Sequence, residues 1–304
     1  MKDARGLDVT SNDAAAVAAA DDFAARLLRL DQGVEAILDA AKRWPDTPIV
    51  QLYAAAFWLY GQTDGALENA AAHLRAGDAL AMNARERALH RALTLWHGND
   101  NLRAVEALEA ITTEWPSDLL TAKIAEFLYY VLGQQYMGPR FRAHVRRLEG
   151  AHAGDPDFLA MAAFASELCG DYVAAEAVAE RALSIEPRNP WAQHALSHVL
   201  IRQGRVRDGL ARLVSRCWRP ADGRSIVMTP GTLRCCISKS STWPQPCASS
   251  GHTSGASPRT SWSSNSTPSR CFGALGWPLA PWTRNGLRSP SILLRGRSRR
   301  SCRS

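Results

Sequence analysis

Two histidines four residues apart, His194 and His198, have residue types and a spacing that could do chemistry. On a helix, residues four positions apart project from one side, so both imidazoles could bind one metal ion or exchange protons at one site. A zinc protease with this pattern needs a glutamate directly after the first histidine, and Ala195 stands there. Because Ala195 replaces this glutamate, the motif does not fit that class of protease. A metal or acid–base site remains open, and so do histidines that hydrogen-bond between helices or line a groove.

Motifs for other catalytic or cofactor chemistry are missing from residues 1–216. We find no glycine-rich phosphate loop, no Cys-x-x-Cys pair and no nucleophile elbow there. The sequence predicts no cofactor and does not favour an enzyme.

A 34-residue stretch from Pro156 to Asn189 directly precedes the histidines and has the length of one tetratricopeptide repeat. Small and apolar residues recur every three or four positions on either side of Gly170. This pattern predicts two antiparallel helices, the second capped by Asp171 and ended by Pro187. The stretch resembles the tetratricopeptide repeat motif. The residues that define the repeats are Gly133, Gly170, Tyr172, Ala175, Ala182, Pro187, Trp191 and Gly204.

Turn positions repeat at nearly equal intervals along the chain. Asn99, Gly133, Gly170 and Gly204 are separated by 34, 37 and 34 residues. Each helix hairpin leaves an apolar face that only its neighbour can cover, so equal spacing indicates stacked hairpins. We predict an all-α fold for residues 1–216, a right-handed α-solenoid with a concave groove.

Cap residues and prolines predict the other helix boundaries. Thr10 and Ser11 are candidate caps of the first helix, Asn83 and Glu86 form a capping box for the fifth, and Ser117 is a candidate cap of the seventh.

A separate, basic eighth helix is predicted to follow Pro139, after the seventh closes at Gly133. Its arginines favour a solvated face over a nucleic-acid patch, because the cluster is short and its domain is acidic. They are Arg140, Arg142, Arg146 and Arg147.

Charge and cysteine content divide the chain in two. Residues 1–216 hold 23 Lys and Arg against 28 Asp and Glu, a net charge of −5. Residues 217–304 hold 13 basic residues against the lone Asp222, a net of +12, and six of the seven cysteines. Cys169 is predicted to be a buried, reduced thiol. The first residues lack the apolar core of a signal peptide and no apolar run could span a bilayer, so we predict a cytoplasmic protein without a membrane partner.

Residues 217–304 are rich in Ser, Arg and Pro and show no helical periodicity. One interpretation is a disordered basic arm, which could bind nucleic acid; without a genuine arm, no nucleic-acid partner is expected. The other is translation in the wrong frame. The frame one nucleotide earlier forces Asp at the Met228/Thr229 junction and Leu at Cys235/Cys236, and permits an amphipathic helix from Val227 to Lys239.

Several local motifs resemble the tetratricopeptide repeat protein 38 family over about residues 1–215. They are Lys2-Asp3 with Thr10-Ser11-Asn12, the turn Trp115-Pro116-Ser117-Asp118, and Asn189-Pro-Trp-Ala-Gln-His-Ala-Leu-Ser-His198 with Asp208-Gly209-Leu210. The resemblance implies a longer helical chain in which a His-x-x-Trp-His helix follows, and the printed tail departs from it. It implies no established reaction or cofactor.

The predicted function is a binding module whose groove holds a peptide or helix of an unidentified protein. The first helices of consecutive repeats lack a cluster of Lys and Arg, so a clamp for a terminal carboxylate is not predicted. The alternative is an uncharacterised enzyme or metal-binding protein that uses His194 and His198.

Overall fold

The computed structural model describes residues 1–29 and 31–217, which form eleven α-helices. Their bounds are α1 Ala14–Arg29, α2 Ala36–Arg43, α3 Pro48–Gly61, α4 Ala66–Asp78, α5 Ala84–His97, α6 Asn101–Glu114, α7 Leu119–His152, α8 Pro156–Leu168, α9 Tyr172–Ile185, α10 Pro190–Arg202 and α11 Val206–Cys217. Within these ranges the β structure is limited to an isolated bridge between Lys2 and Asp8. The all-α prediction is confirmed for this part of the chain, and the predictions for the basic tail fall outside it.

Consecutive helices pack as hairpins that stack on one another. The pairs are α1 with α2, α3 with α4, α5 with α6, α8 with α9 and α10 with α11, and α4, α6 and α9 each contact the first helix of the next hairpin. The seventh helix makes a hairpin by itself, because its backbone breaks at Gly133 with φ 114° and ψ 109°. This is the repeat solenoid that the periodicity predicts.

The predicted end of the seventh helix at Gly133 is confirmed, and only the predicted start of the next helix, after Pro139, is wrong. Gly133 makes the turn alone, since a positive φ of this size is accessible to glycine at little cost. The second arm therefore needs no loop and starts directly after Gly133, with Pro139 inside it.

Two of the predicted N-terminal caps are also wrong. Asp13, and neither Thr10 nor Ser11, caps α1 by accepting from the backbone N–H of Ala15 at 2.8 Å. Asp118 caps α7 in place of Ser117. Thr10 has another role, because its backbone N–H donates to Glu86 at 2.9 Å and its hydroxyl accepts from the N–H of Asn83 at 3.1 Å.

The capping box of α5 is confirmed. Asn83 accepts from the backbone N–H of Glu86, and the Glu86 carboxylate accepts from the N–H of Asn83. Asp171 and Asn189 cap α9 and α10. Each cap satisfies backbone donors that a helix leaves free at its start.

The basic face of the second α7 arm is only partly solvated. Arg140 donates two hydrogen bonds of 2.9 Å to Glu109 on α6, and Arg142 lies 3.9 Å from Asp171. Arg146 and Arg147 are exposed. Much of the face thus pairs with acidic side chains of neighbouring hairpins.

A buried polar network joins α6 to both arms of α7. His144 is 1% exposed, and its Nε2 lies 2.7 Å from the hydroxyl of Thr112 while its Nδ1 lies 3.1 Å from that of Tyr129. The Tyr129 hydroxyl also donates to Glu109. Because these polar groups satisfy one another, the network fixes how the two hairpins pack.

None of the described helices is both long and apolar enough to cross a lipid bilayer.

Candidate functional site

One set of helices lies on the inside of the stack. First helices of successive hairpins contact one another where α3 meets α5 and where α8 meets α10. In a curved stack the inner path is shorter, so the helices that meet from hairpin to hairpin lie on the concave side. We call the surface formed by α3, α5, residues 119–132, α8 and α10 the inner face.

Three aromatic rings join the first part of the inner face. Tyr60 at the end of α3 lies 5.4 Å from Trp96 on α5 and 4.7 Å from Phe127 on α7, measured between ring centroids. Trp96 and Phe127 are 5.6 Å apart. Tilted and edge-on contacts at these distances are favourable for aromatic rings, so the triangle fixes three helices relative to one another.

A buried ion pair lies in the middle of the inner face. The Lys123 ammonium donates to both oxygens of Glu126 at 2.9 Å, and the two side chains are 7% and 6% exposed. The same ammonium lies 3.9 Å from the ring centroid of Trp191, at the start of α10. Tyr60 donates its hydroxyl hydrogen to the Lys123 carbonyl at 2.8 Å. A desolvated pair with this cation–π contact links α7 directly to α10.

The two predicted histidines lie on the same face, one and two turns after Trp191. Their rings are 4.4 Å apart, and the His194 ring is 5.7 Å from that of Trp191. The His198 Nδ1 is 3.9 Å from the Glu167 carboxylate of α8, and the Arg202 guanidinium is 3.8 Å from it. The structure thus brings the predicted pair together and adds a buried acid beside it.

Burial on the inner face shifts the ionisation of His194 and of Tyr60. Burial, with smaller contributions from His198 and Lys123, lowers the pKa of His194 well below its ordinary value, so the imidazole is neutral. Burial and the Glu126 carboxylate raise the pKa of Tyr60 well above its usual range. Its hydroxyl therefore stays protonated and donates its hydrogen bond.

Metal binding has limited support within residues 1–29 and 31–217. No group of three or more His, Cys, Asp or Glu side chains is arranged there to hold a metal ion. His194 and His198 supply two imidazoles, and a zinc site needs at least three protein ligands.

The repeat-defining residues occupy turns, the packed centre of a hairpin and the inner face. Gly133, Gly170 and Gly204 have positive φ, Ala175 and Ala182 are fully buried, Tyr172 begins α9, Pro187 follows it and Trp191 contacts Lys123. Sequence reasoning did not single out Lys123, Glu126 or Glu167. The one available signal was a Lys-x-x-Glu pair within the otherwise apolar run that starts α7.

Comparison with known proteins finds a match to a repeat family near the end of the described residues. Residues 170–215 match the tetratricopeptide repeat family, and this range covers the end of hairpin α8–α9 and nearly all of α10–α11. No solved structure matches the chain. The protein therefore contains a tetratricopeptide repeat, an architecture that serves in general as a protein–protein interaction scaffold.

Proposed function

We propose that this chain is a protein–protein interaction scaffold whose inner face holds a peptide or a helix of another protein. The observation that carries the proposal is the convergence of side chains from α3, α5, α7 and α10 on one concave surface. Helices that are distant in sequence share this surface, so one guest could contact several repeats at once. Extended peptides and amphipathic helices are the usual guests of such grooves.

The chemistry of the inner face supports an apolar or aromatic guest. Tyr60, Phe127 and Trp191 are half-buried and remain available for contact, whereas Lys123 and Glu126 are buried beneath them. Half-buried aromatic side chains contribute large contact area at small cost in conformational entropy, and they dominate many binding hot spots. The buried pair neutralises its own charges and holds the aromatic residues in position.

The proposal is tested by selecting displayed random peptides on the full-length protein and measuring their affinity for variants. Trp191→Ala is expected to weaken a selected peptide by about 30-fold, which corresponds to the ~2 kcal/mol of a hot-spot residue. Isothermal titration calorimetry measures the change, and circular dichroism checks that the helices are retained.

The matched control is Val173→Ala. Val173 is 79% exposed on α9, a second helix that is not part of the inner face, and its replacement should leave the affinity unchanged. Equal losses for the two variants, or no loss for Trp191→Ala, would contradict binding at the inner face.

The alternative is an uncharacterised enzyme or metal-binding protein that uses His194 and His198. It is favoured by the 4.4 Å separation of the two rings and by the buried Glu167 carboxylate beside them. Metal analysis of the full-length protein separates the two proposals. One equivalent of zinc that is lost in His194→Ala would support the alternative, and a metal-free protein that binds peptides would support the scaffold.

Two finer predictions belong to this proposal. Membership of the tetratricopeptide repeat protein 38 family stays a prediction, because the match at residues 170–215 concerns the repeat alone. A cytoplasmic location agrees with a scaffold for soluble partners, and fractionation of cells that produce the tagged full-length chain would test it.

A further inference from the structure

The first 29 residues contact hairpins that are not their neighbours. In a repeat stack each unit normally touches only the next unit. Here α1 contacts α7 as well as α2 and α3. The segment therefore extends from the second hairpin, which α3 and α4 form, at least as far as the fourth, which α7 forms.

The apolar side of α1 crosses the first turns of α3 and α7. Phe23 is 1% exposed, and its ring lies 5.2 Å from that of Tyr53. Ala20 and Ala24 line a cavity of about 300 Å³ together with Ile49 of α3 and Leu120 of α7. The helix thus lies across the starts of α3 and α7 and forms one wall of a small cavity between them.

Hydrogen bonds and ion pairs hold the segment that precedes α1. The Arg5 guanidinium lies 2.9 Å from the carboxylate of Asp155, which caps α8. At the start of α5, the side chain of the cap residue Asn83 donates to the Asp8 carbonyl at 3.0 Å, and Glu86 accepts from the backbone N–H of Thr10. These bonds connect the start of the chain to the third and fifth hairpins.

A second ionic contact holds the end of α1. Arg29 donates through Nε to the carboxylate of Asp157 at 3.1 Å, and its Nη1 lies 3.8 Å from Glu186. The Asp157 side chain is 7% exposed and also accepts from the side chain of Asn189, the cap of α10, at 2.7 Å. Arg29 therefore ties α1 to the starts of both α8 and α10.

We infer that residues 1–29 form a clasp that fixes the curvature of the stack. The ion pairs of Arg5 with Asp155 and of Arg29 with Asp157 attach this segment to the start of α8. When these two ion pairs break, the inner face widens. The Arg29 side chain is 36% exposed and that of Arg5 is 28% exposed, so dissolved salt reaches and weakens both contacts. The clasp is a conformational device independent of which guest the inner face binds.

Hydrogen–deuterium exchange of the full-length protein tests the clasp. Arg29→Ala removes the contact with Asp157, so amide exchange at the start of α8 is expected to become about tenfold faster. A tenfold change corresponds to about 1.4 kcal/mol of opening free energy. Asp157→Asn should speed exchange in α1 by a similar factor, since the two residues share one contact. Combining both changes should add little to either.

The matched control is Arg26→Ala. Arg26 lies on the same helix but pairs with Asp22 within it, so its loss should leave α8 unchanged. Faster exchange confined to the mutated helix in each variant would overturn the clasp, as would equal effects of Arg26→Ala and Arg29→Ala on α8. If Arg29→Ala unfolds the chain, Arg29→Lys keeps the charge and is measured in the same two regions.

Discussion

Replacing Arg85 by leucine is expected to lower the free energy of unfolding by about 3–5 kcal/mol, the usual cost of removing one partner from a buried ion pair. The Arg85 guanidinium lies 2.9 Å from the Asp118 carboxylate, and each side chain is 2% exposed. Arg85 also donates to the Asp8 carbonyl at 3.3 Å. Its loss leaves the Asp118 charge desolvated and removes one of the hydrogen bonds between the start of the chain and α5.

Urea denaturation followed by circular dichroism measures this effect. Adding Asp118→Asn to Arg85→Leu should recover part of the loss, because the amide removes the stranded charge and still caps α7. Arg87→Ala is the matched control, as Arg87 is exposed on the same helix and should change stability by less than about 0.5 kcal/mol. A similar loss from Arg87→Ala would mean that the burial of Arg85 is not the cause.

Stability is expected to fall by about 3 kcal/mol between pH 6.5 and pH 4 because of His144 alone. Burial lowers the pKa of His144 to about 4 from the ordinary 6.5, and the nearby Glu109 carboxylate only partly opposes this. Between these values the unfolded chain binds one more proton than the folded chain. The contribution of His144 to the free energy of unfolding is therefore complete above pH 6.5, declines as the pH falls and is lost near pH 4.

Urea midpoints measured across this pH range test the prediction. His144→Gln removes the titrating group, so its stability should depend less on pH than that of the unmodified protein, even if the variant is less stable throughout. His97→Gln is the control, because His97 lies at the end of α5 and its Nε2 makes an exposed hydrogen bond of 3.0 Å to the Leu67 carbonyl. An unchanged pH slope in His144→Gln would contradict a neutral, buried His144.

The repeat architecture could be predicted from sequence because it is encoded locally. The turn inside a hairpin is signalled by a glycine or asparagine that tolerates positive φ, and Asn99, Gly133, Gly170 and Gly204 all have it. Gly65 also has a positive φ and lies 34 residues before Asn99, so the period extends one hairpin earlier than the predicted set. Small residues every third or fourth position then determine which faces pack.

Helix caps were harder to predict where several candidates stand side by side. Ser117 and Asp118 both have capping side chains, and the choice depends on Arg85, which lies 33 positions away and pairs with Asp118. Thr10 likewise does not cap α1, because its hydroxyl accepts a hydrogen bond from the backbone N–H of Asn83 at the start of α5. Local sequence shows which residues can cap a helix, but distant partners decide which one does.

Only part of the candidate site could be predicted from the sequence. The spacing of His194 and His198 places both on one side of a helix, as found. The contact between Lys123 and Trp191 joins hairpins that are not adjacent, so it depends on the curvature of the whole stack. The N-terminal clasp could not be predicted for the same reason, because no local sequence pattern shows that Arg29 contacts Asp157.

The most direct test of the central claim is a map of amide protection on the full-length protein with and without a selected peptide. Binding in the groove predicts that protection increases in α3, α5, residues 119–132, α8 and α10, strongest near Tyr60 and Trp191. Protection concentrated on the outer helices α4, α6 and α9, with the inner face unchanged, would contradict the account.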